Sequence, residues 1–149
     1  MQILESYLEG AWRAGDGDGA PLYDPTTEQP VARASTAGLD RAAALAYARE
    51  TGGPALQALT FAERGALLAA TSKAIHAQRE ALIEIGRINA GNTRGDAKFD
   101  IDGATGTLMF YAGLGKRLGD RRVLRDGEIA QLTRNNRLVG QPVRVARPG

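Results

Sequence analysis

Thr60-Phe61-Ala62-Glu63-Arg64-Gly65-Ala66-Leu67-Leu68-Ala69-Ala70-Thr71-Ser72-Lys73-Ala74-Ile75 is the stretch that decides the fold class. Its first four residues form a capping box. The Thr60 hydroxyl can accept from the backbone N–H three residues on, and the Glu63 carboxylate can reach back to the N–H of Thr60. Leu67, Leu68, Ala70, Thr71, Ala74 and Ile75 then carry a helix onward. The helical pattern resumes from about Gln78 through Leu82, Ile83, Ile85 and Ile88 and stops at Gly91. A last helix is expected from about Asp96 to Leu118, with Phe99, Gly103, Gly106, Thr107, Phe110, Tyr111 and Leu114 as its apolar or small face. Upstream, Leu39 to Arg49 is Ala-rich with a helical stripe, and Gly52-Gly53-Pro54 is expected to stop it. The centre of the chain therefore reads as about four helices.

On both sides the period falls to two. Glu5 to Arg13 reads as a short hairpin turning at Glu9-Gly10. Gly15-Asp16-Gly17-Asp18-Gly19 reads as a flexible turn, Leu22-Tyr23 as a brief extended piece ended by Asp24-Pro25-Thr26-Thr27, and Val31 to Ser35 as a strand. At the far end, Ile129 to Leu132 and Leu138 to Val145 suggest a ribbon linked around Asn135-Asn136, with Pro142 at an edge or irregularity. The fold class is α/β: strands and turns over 1–35, a helical layer over 36–118, and a ribbon over 119–149.

Composition removes much chemistry. There is no cysteine, so the chain holds no disulfide, no thiolate metal site and no cysteine nucleophile. His76 is the single histidine, which excludes a histidine metal cluster or a Ser/His/Asp triad; near a helix end it reads as an ordinary, partly exposed residue. No run reaches the ~20 apolar residues of a membrane span, and Met1 to Glu5 carries no secretory pattern, so a cytoplasmic location is expected. Net charge is +2, and the basic residues are nearly all Arg, since Lys occurs only at 73, 98 and 116. The nearest basic run, Arg117 to Arg125 followed by Arg134, Arg137, Arg144 and Arg147, is interspersed with Asp120, Asp126 and Glu128, which reads as a solvated surface and not a nucleic-acid track.

The motif-like pieces fail on inspection. Gly17-Asp18-Gly19 and Asp100-Ile101-Asp102-Gly103 lack the alternating oxygen ligands and closing Glu of a calcium loop. Asp100 and Asp102 cannot share a helix face at a spacing of two, so they make a poor acid/base dyad. Gly115-Lys116 has Phe110 where a phosphate loop needs Gly and Arg117 where it needs Ser or Thr. Trp12, Phe110 and Tyr111 read as packing residues. By residues alone, no catalytic, cofactor-binding or metal-binding constellation stands in this chain.

A succession of segments says more. Tyr7-Leu8-Glu9-Gly10-Ala11-Trp12 resembles the opening hairpin of the aldehyde dehydrogenase superfamily. Tyr23-Asp24-Pro25-Thr26-Thr27 resembles its Asn-Pro-x-Thr-Gly segment, with Asp24 for Asn and Glu28 for Gly. Val31 to Thr36 resembles the next strand, Leu59 to Arg64 the Ser/Thr-x-x-Glu-Arg helix start, and Phe110-Tyr111-Ala112-Gly113 the Tyr-Tyr-Ala-Gly that closes the long N-terminal helix. Thr60 to Arg64, Asp100 to Leu108 and Leu138 to Gln141 look like the branch acting on CoA-linked semialdehydes in aromatic degradation, with the benzoate member favoured over the phenylacetate member.

The resemblance implies an enzyme much longer than this chain, with NAD or NADP as cofactor. In that family a Cys thiolate attacks the aldehyde, hydride passes to nicotinamide and a Glu activates water. The oxyanion Asn, cofactor Lys, Glu and Cys would all lie beyond residue 149. The resemblance thus implies an N-terminal section that is inactive and binds no cofactor alone. It places Phe99 and Gly103 on the substrate tunnel, with a CoA-linked aldehyde as the small-molecule partner, and places the ribbon at a homo-oligomer interface. Two other classes stand beside it: a non-catalytic helical assembly module, and a weak Arg-based nucleic-acid binder.

Overall fold

The computed structural model describes residues 1–125, 127, 130–131, 139–141 and 143–145. The chain opens with β1 (Gln2–Leu4), β2 (Ser6–Leu8), β3 (Ala11–Arg13), β4 (Ala20–Tyr23) and β5 (Pro30–Ala34). β2 and β3 form the expected hairpin, pairing Tyr7 with Trp12. Glu9 (φ 52°) and Gly10 (φ 82°) supply the two left-handed residues that a tight two-residue turn requires. β4 and β5 run antiparallel. β1 lies parallel to β5 on its other side, giving the order β1-β5-β4. That first strand was not expected. Three residues are too few to show a period, and the partner stands thirty residues away. The Gly15–Gly19 turn is tied down: Asp16 N–H donates to Ala37 O at 2.9 Å and Ser35 Oγ donates to Asp16 O at 2.8 Å.

The helical layer contains α1 (Arg41–Tyr47), α2 (Gly53–Ala58), α3 (Phe61–Ala77), α4 (Arg79–Ala90) and α5 (Arg94–Leu118). Asp40 caps α1 through Ala43 N–H at 2.9 Å. Gly52-Gly53-Pro54 does not stop the first helix as expected. A π turn over Ala48–Gly52 runs straight into α2, and Pro54 occupies its first turn. There a missing N–H costs nothing and the fixed φ suits the helix. The first helical run therefore extends to Ala58, and with α3, α4 and α5 the expected four helical runs stand. Both halves of the Thr60 capping box form, at 3.2 Å and 2.8 Å. The next two donors, Phe61 and Ala62 N–H, reach Arg121 O at 2.9 Å and Gly119 O at 3.0 Å. The start of α3 is thus sewn to the turn that ends α5. A Thr60→Ala variant should lose about 1 kcal/mol in urea unfolding.

α4 ends on Gly91 at φ 68°, the left-handed cap. α5 begins at Arg94, earlier than expected, because Thr93 accepts from Asp96 N–H and becomes the N-cap. α3 and α5 pack along most of their length. Their contact is made by small residues: a Cβ at Gly65 would stand 2.7 Å from Ala112 O and 3.3 Å from Gly115 Cα. Between them Ser72, 4% exposed, donates from Oγ to Thr105 O at 3.0 Å. Ile83 of α4 and Ala97 of α5 complete the buried set with Ala112.

Towards the end, β6 (Val123–Arg125) pairs with β9 (Val143–Val145), and β7 (Ala130–Gln131) with β8 (Val139–Gly140), all antiparallel. The two expected ribbon segments do supply paired strands, and β6 joins them from within the 119–149 stretch, where no strand was singled out. The Asn135-Asn136 turn and Pro142 lie outside the described residues.

The chain exposes 10985 Å², against roughly 7,300 Å² for a self-contained monomer of its mass. Trp12, Tyr7, Tyr23, Ile85, Phe99 and Phe110 are each more than half exposed.

Candidate functional site

α5 carries two faces that its sequence does not separate. The inner one, Ala97, Thr105 and Ala112, is buried against α3 and α4. The outer one holds Phe99, Gly103, Gly106 and Phe110, spaced four, three and four residues apart, so they stack on one side of the helix. Phe99 is 78% exposed and Phe110 61% exposed. No atom lies within 4 Å of where a Cβ would stand at Gly103 or Gly106. The expected packing face of α5 is therefore the unpacked one, and this corrects the reading of Phe110, Tyr111 and Trp12 as packing residues. Phe110 and Tyr111 meet edge-to-face at 5.4 Å, as do Tyr7 and Trp12 at 5.2 Å, but each pair faces outward. The structure brings Phe99 and Gly103 together on one open face.

What holds that face outward is an ion network. Asp102 accepts from Arg79 Nε at 2.7 Å, from Arg79 Nη2 at 2.9 Å and from Lys98 Nζ at 2.8 Å. Glu80 joins Arg79 at 2.6 Å and Arg94 at 2.6 Å. Arg94, Lys98 and Asp102 lie at intervals of four along α5, so the start of α4 grips one stripe of α5 over two turns and fixes its rotation. The sequence signal for this was the spacing Arg94-x3-Lys98-x3-Asp102, which was passed over. Neither a calcium ligand nor an acid/base group, Asp102 is a structural anion held by Arg79 and Lys98.

Arg79 first and Lys98 second hold the Asp102 carboxyl well below the usual carboxylate range. A carboxyl depressed on folding stabilises above its unfolded pKa of about 3.9, and that contribution is lost as pH falls through the folded value. The Asp102→Asn variant should therefore show a flatter loss of stability below about pH 4 than the parent chain, read from urea midpoints across an acid series. An unchanged acid limb would contradict the network.

The remaining candidates fall out of the chemistry. His76 sits exposed in the last turn of α3, lining a depression of about 560 Å³ with Lys73, Asp102 and Met109. A larger cleft of about 680 Å³ lies between the Asp24–Thr27 turn and the start of α5. Arg87 there already pairs with Glu84 at 2.8 Å, and Arg94 with Glu80. No group of three metal-binding side chains occurs among the described residues, and no described helix is long and apolar enough to cross a membrane.

The starts of the two long packed helices are already occupied by the chain's own groups. The first donors of α3 are all taken, and the start of α5 holds the Asp96 carboxylate, whose Oδ2 accepts from Thr93 Oγ1 at 2.7 Å. A carboxylate at the start of α5 repels a phosphate brought to its first turn, and at α3 the first N–H groups are engaged.

Comparison with known proteins gives one consistent answer. The model of the aldehyde dehydrogenase family matches residues 12–143. The 3,4-dehydroadipyl-CoA semialdehyde dehydrogenase of Aromatoleum evansii is 44% identical over 138 residues, covering 93% of this chain and 27% of that protein, in its N-terminal part. Among solved structures, an NAD-dependent benzaldehyde dehydrogenase from Corynebacterium glutamicum superposes with a TM-score of 0.72 at 22% identity, over 88% of this chain and 28% of that one. A betaine aldehyde dehydrogenase from Staphylococcus aureus, solved with NAD+, gives 0.67 at 22% identity, over 83% and 25%. At that identity the two structures speak for the fold. The chain spans about a quarter of the length of each of these relatives. With the family match over most of its residues and the fold in agreement, this chain belongs to the aldehyde dehydrogenase family.

Proposed function

We propose that this chain is the N-terminal scaffold of an aldehyde dehydrogenase that oxidises a CoA-linked semialdehyde to its acid during the breakdown of an aromatic compound, with NAD or NADP as oxidant. The observation that carries the reading is the 44% identity to the Aromatoleum evansii semialdehyde dehydrogenase along nearly the whole chain. The cysteine-free sequence agrees with it, since the thiolate nucleophile must then come from polypeptide outside these residues.

The chain's own part is to shape the approach to the aldehyde. Phe99 would form an apolar wall, and Gly103, with open space above its Cα, would leave room for a thin acyl chain. The paired strands after α5 would serve a homo-oligomer interface, and the enzyme would work in the cytoplasm. Alone, the chain would neither bind the cofactor nor turn over.

The test is a chimera in which residues 1–145 replace the matching part of the Aromatoleum evansii enzyme. The chimera should prefer the CoA-linked semialdehyde over benzaldehyde by at least about 100-fold in kcat/KM, the discrimination that a few kcal/mol of differential contact supplies. Equal use of both aldehydes would remove the substrate assignment and leave the family standing.

A further inference from the structure

We propose that Arg79 is a positioning residue for the aldehyde path: by clamping Asp102 it fixes the direction in which Phe99 and Gly103 project from α5. The proposal rests on the dehydrogenase reading, which sets those two residues beside the acyl chain. Each clamped residue directly precedes a path residue, Lys98 before Phe99 and Asp102 before Gly103. Successive side chains on a helix differ by about 100°, so holding the first of each pair sets the second.

α5 is held differently along its length. From Thr105 onward α3 grips it, through the Ser72 bond to Thr105 O and the close backbone approach of Gly65 to Ala112 and Gly115. The part that carries Phe99 and Gly103 meets α4 instead. One contact there sets Gly86 against Ala97, and neither has a side chain long enough to interlock. Arg79 supplies the directional contact. Its Nε and Nη2 meet the two carboxylate oxygens of Asp102 as a fork, and its Nη1 donates to Glu80 at 2.6 Å. Every guanidinium nitrogen is engaged, and a planar fork fixes angle as well as distance. A side-chain tip stands about 5–6 Å from the helix axis. A turn of roughly 10° therefore moves the wall by about 1 Å, a displacement that can cost about 100-fold in rate.

In the chimera, Arg79→Met should lower kcat/KM for the CoA-linked semialdehyde about tenfold more than for acetaldehyde, which has no acyl chain to lay along the wall. A purely structural loss would lower both alike, since it removes active enzyme. Arg87→Met, which breaks the Glu84 pair elsewhere on α4, should leave the ratio within about twofold, as expected of an exposed pair. Asp102→Ala should match Arg79→Met, and the double variant should cost no more than either, because the two residues act as one contact. An unchanged ratio in Arg79→Met, or additive costs in the double variant, overturns the proposal. A parent chimera that uses benzaldehyde equally well would instead remove the substrate assignment. Benzaldehyde then takes the semialdehyde's place in the ratio, with the same roughly tenfold change expected. The geometry is also readable without turnover, because the 149-residue chain has no cysteine. Nitroxide labels at Gly103→Cys and at Ala70→Cys, exposed on α3, should give a narrow distance distribution that Arg79→Met broadens. A distribution that Arg79→Met leaves unchanged overturns the proposal whatever the chimera does.

Discussion

Replacing Gly65 or Gly115 by Ala should destabilise the chain by about 1–3 kcal/mol, the usual cost of forcing extra atoms into a packed contact, and replacing either by Leu should prevent folding. The argument turns on two opposing effects. Ala in a helix interior is favoured over Gly by about 0.8–1 kcal/mol, so propensity alone predicts a gain. At these two positions the space is absent. A Cβ at Gly115 would stand 2.5 Å from Phe61 O and 3.0 Å from Gly65 Cα, and both are backbone atoms that no rotamer change can move. α3 and α5 would have to separate, and Ser72 would lose its buried bond to Thr105 O. Gly106 on the outer face of α5 is the control, since nothing would meet a Cβ there. Gly106→Ala should stabilise by about 0.5–1 kcal/mol. Urea unfolding followed by circular dichroism measures both. A stabilised Gly115→Ala would mean that the two helices do not cross here.

Filling the space above Gly103 should cost little stability and much activity. In the chimera, Gly103→Trp should lower kcat/KM for the CoA-linked semialdehyde by about 100-fold or more. A tunnel wall displaced by ~1 Å already costs that much when substrate alignment is lost. The same substitution in the isolated chain should shift the urea midpoint only slightly, because no atom lies within 4 Å of that Cβ position. The split is the point: a residue that merely packed would lose stability and activity together. Full activity in the Gly103→Trp chimera would take Gly103 off the substrate path.

The contrast between Gly103 and Gly115 also marks the limit of the sequence. Both are helix-interior glycines spaced among apolar residues, and nothing local distinguishes one pressed against backbone from one facing open space. The features legible in advance were those whose cause is local. They include the Thr60 capping box, the Glu9-Gly10 turn, the Gly91 stop and the hairpin pairing Tyr7 with Trp12. What escaped was set at long range. β1 owes its existence to a parallel partner at Ala32–Ala34. The role of Asp102 depends on Arg79, on another helix. The outer face of α5 was read as packing because Phe99 and Phe110 are apolar, and apolarity states that a side chain wants a cover without saying where the cover comes from. The Pro54 misreading was of another kind. Proline ends helices in their interior and begins them in their first turn, and the sequence alone did not say on which side of a boundary it stood.

The central claim is that these residues are a scaffold and that the reacting groups belong to polypeptide outside them. It is tested most directly by assaying the isolated chain and the chimera side by side for nicotinamide reduction with an aldehyde and NAD or NADP. The isolated chain should give no reduction above the uncatalysed rate, and the chimera should turn over. Reduction by the purified 149-residue chain, which contains no cysteine, would contradict the claim outright, and so would a well-folded chimera with no activity.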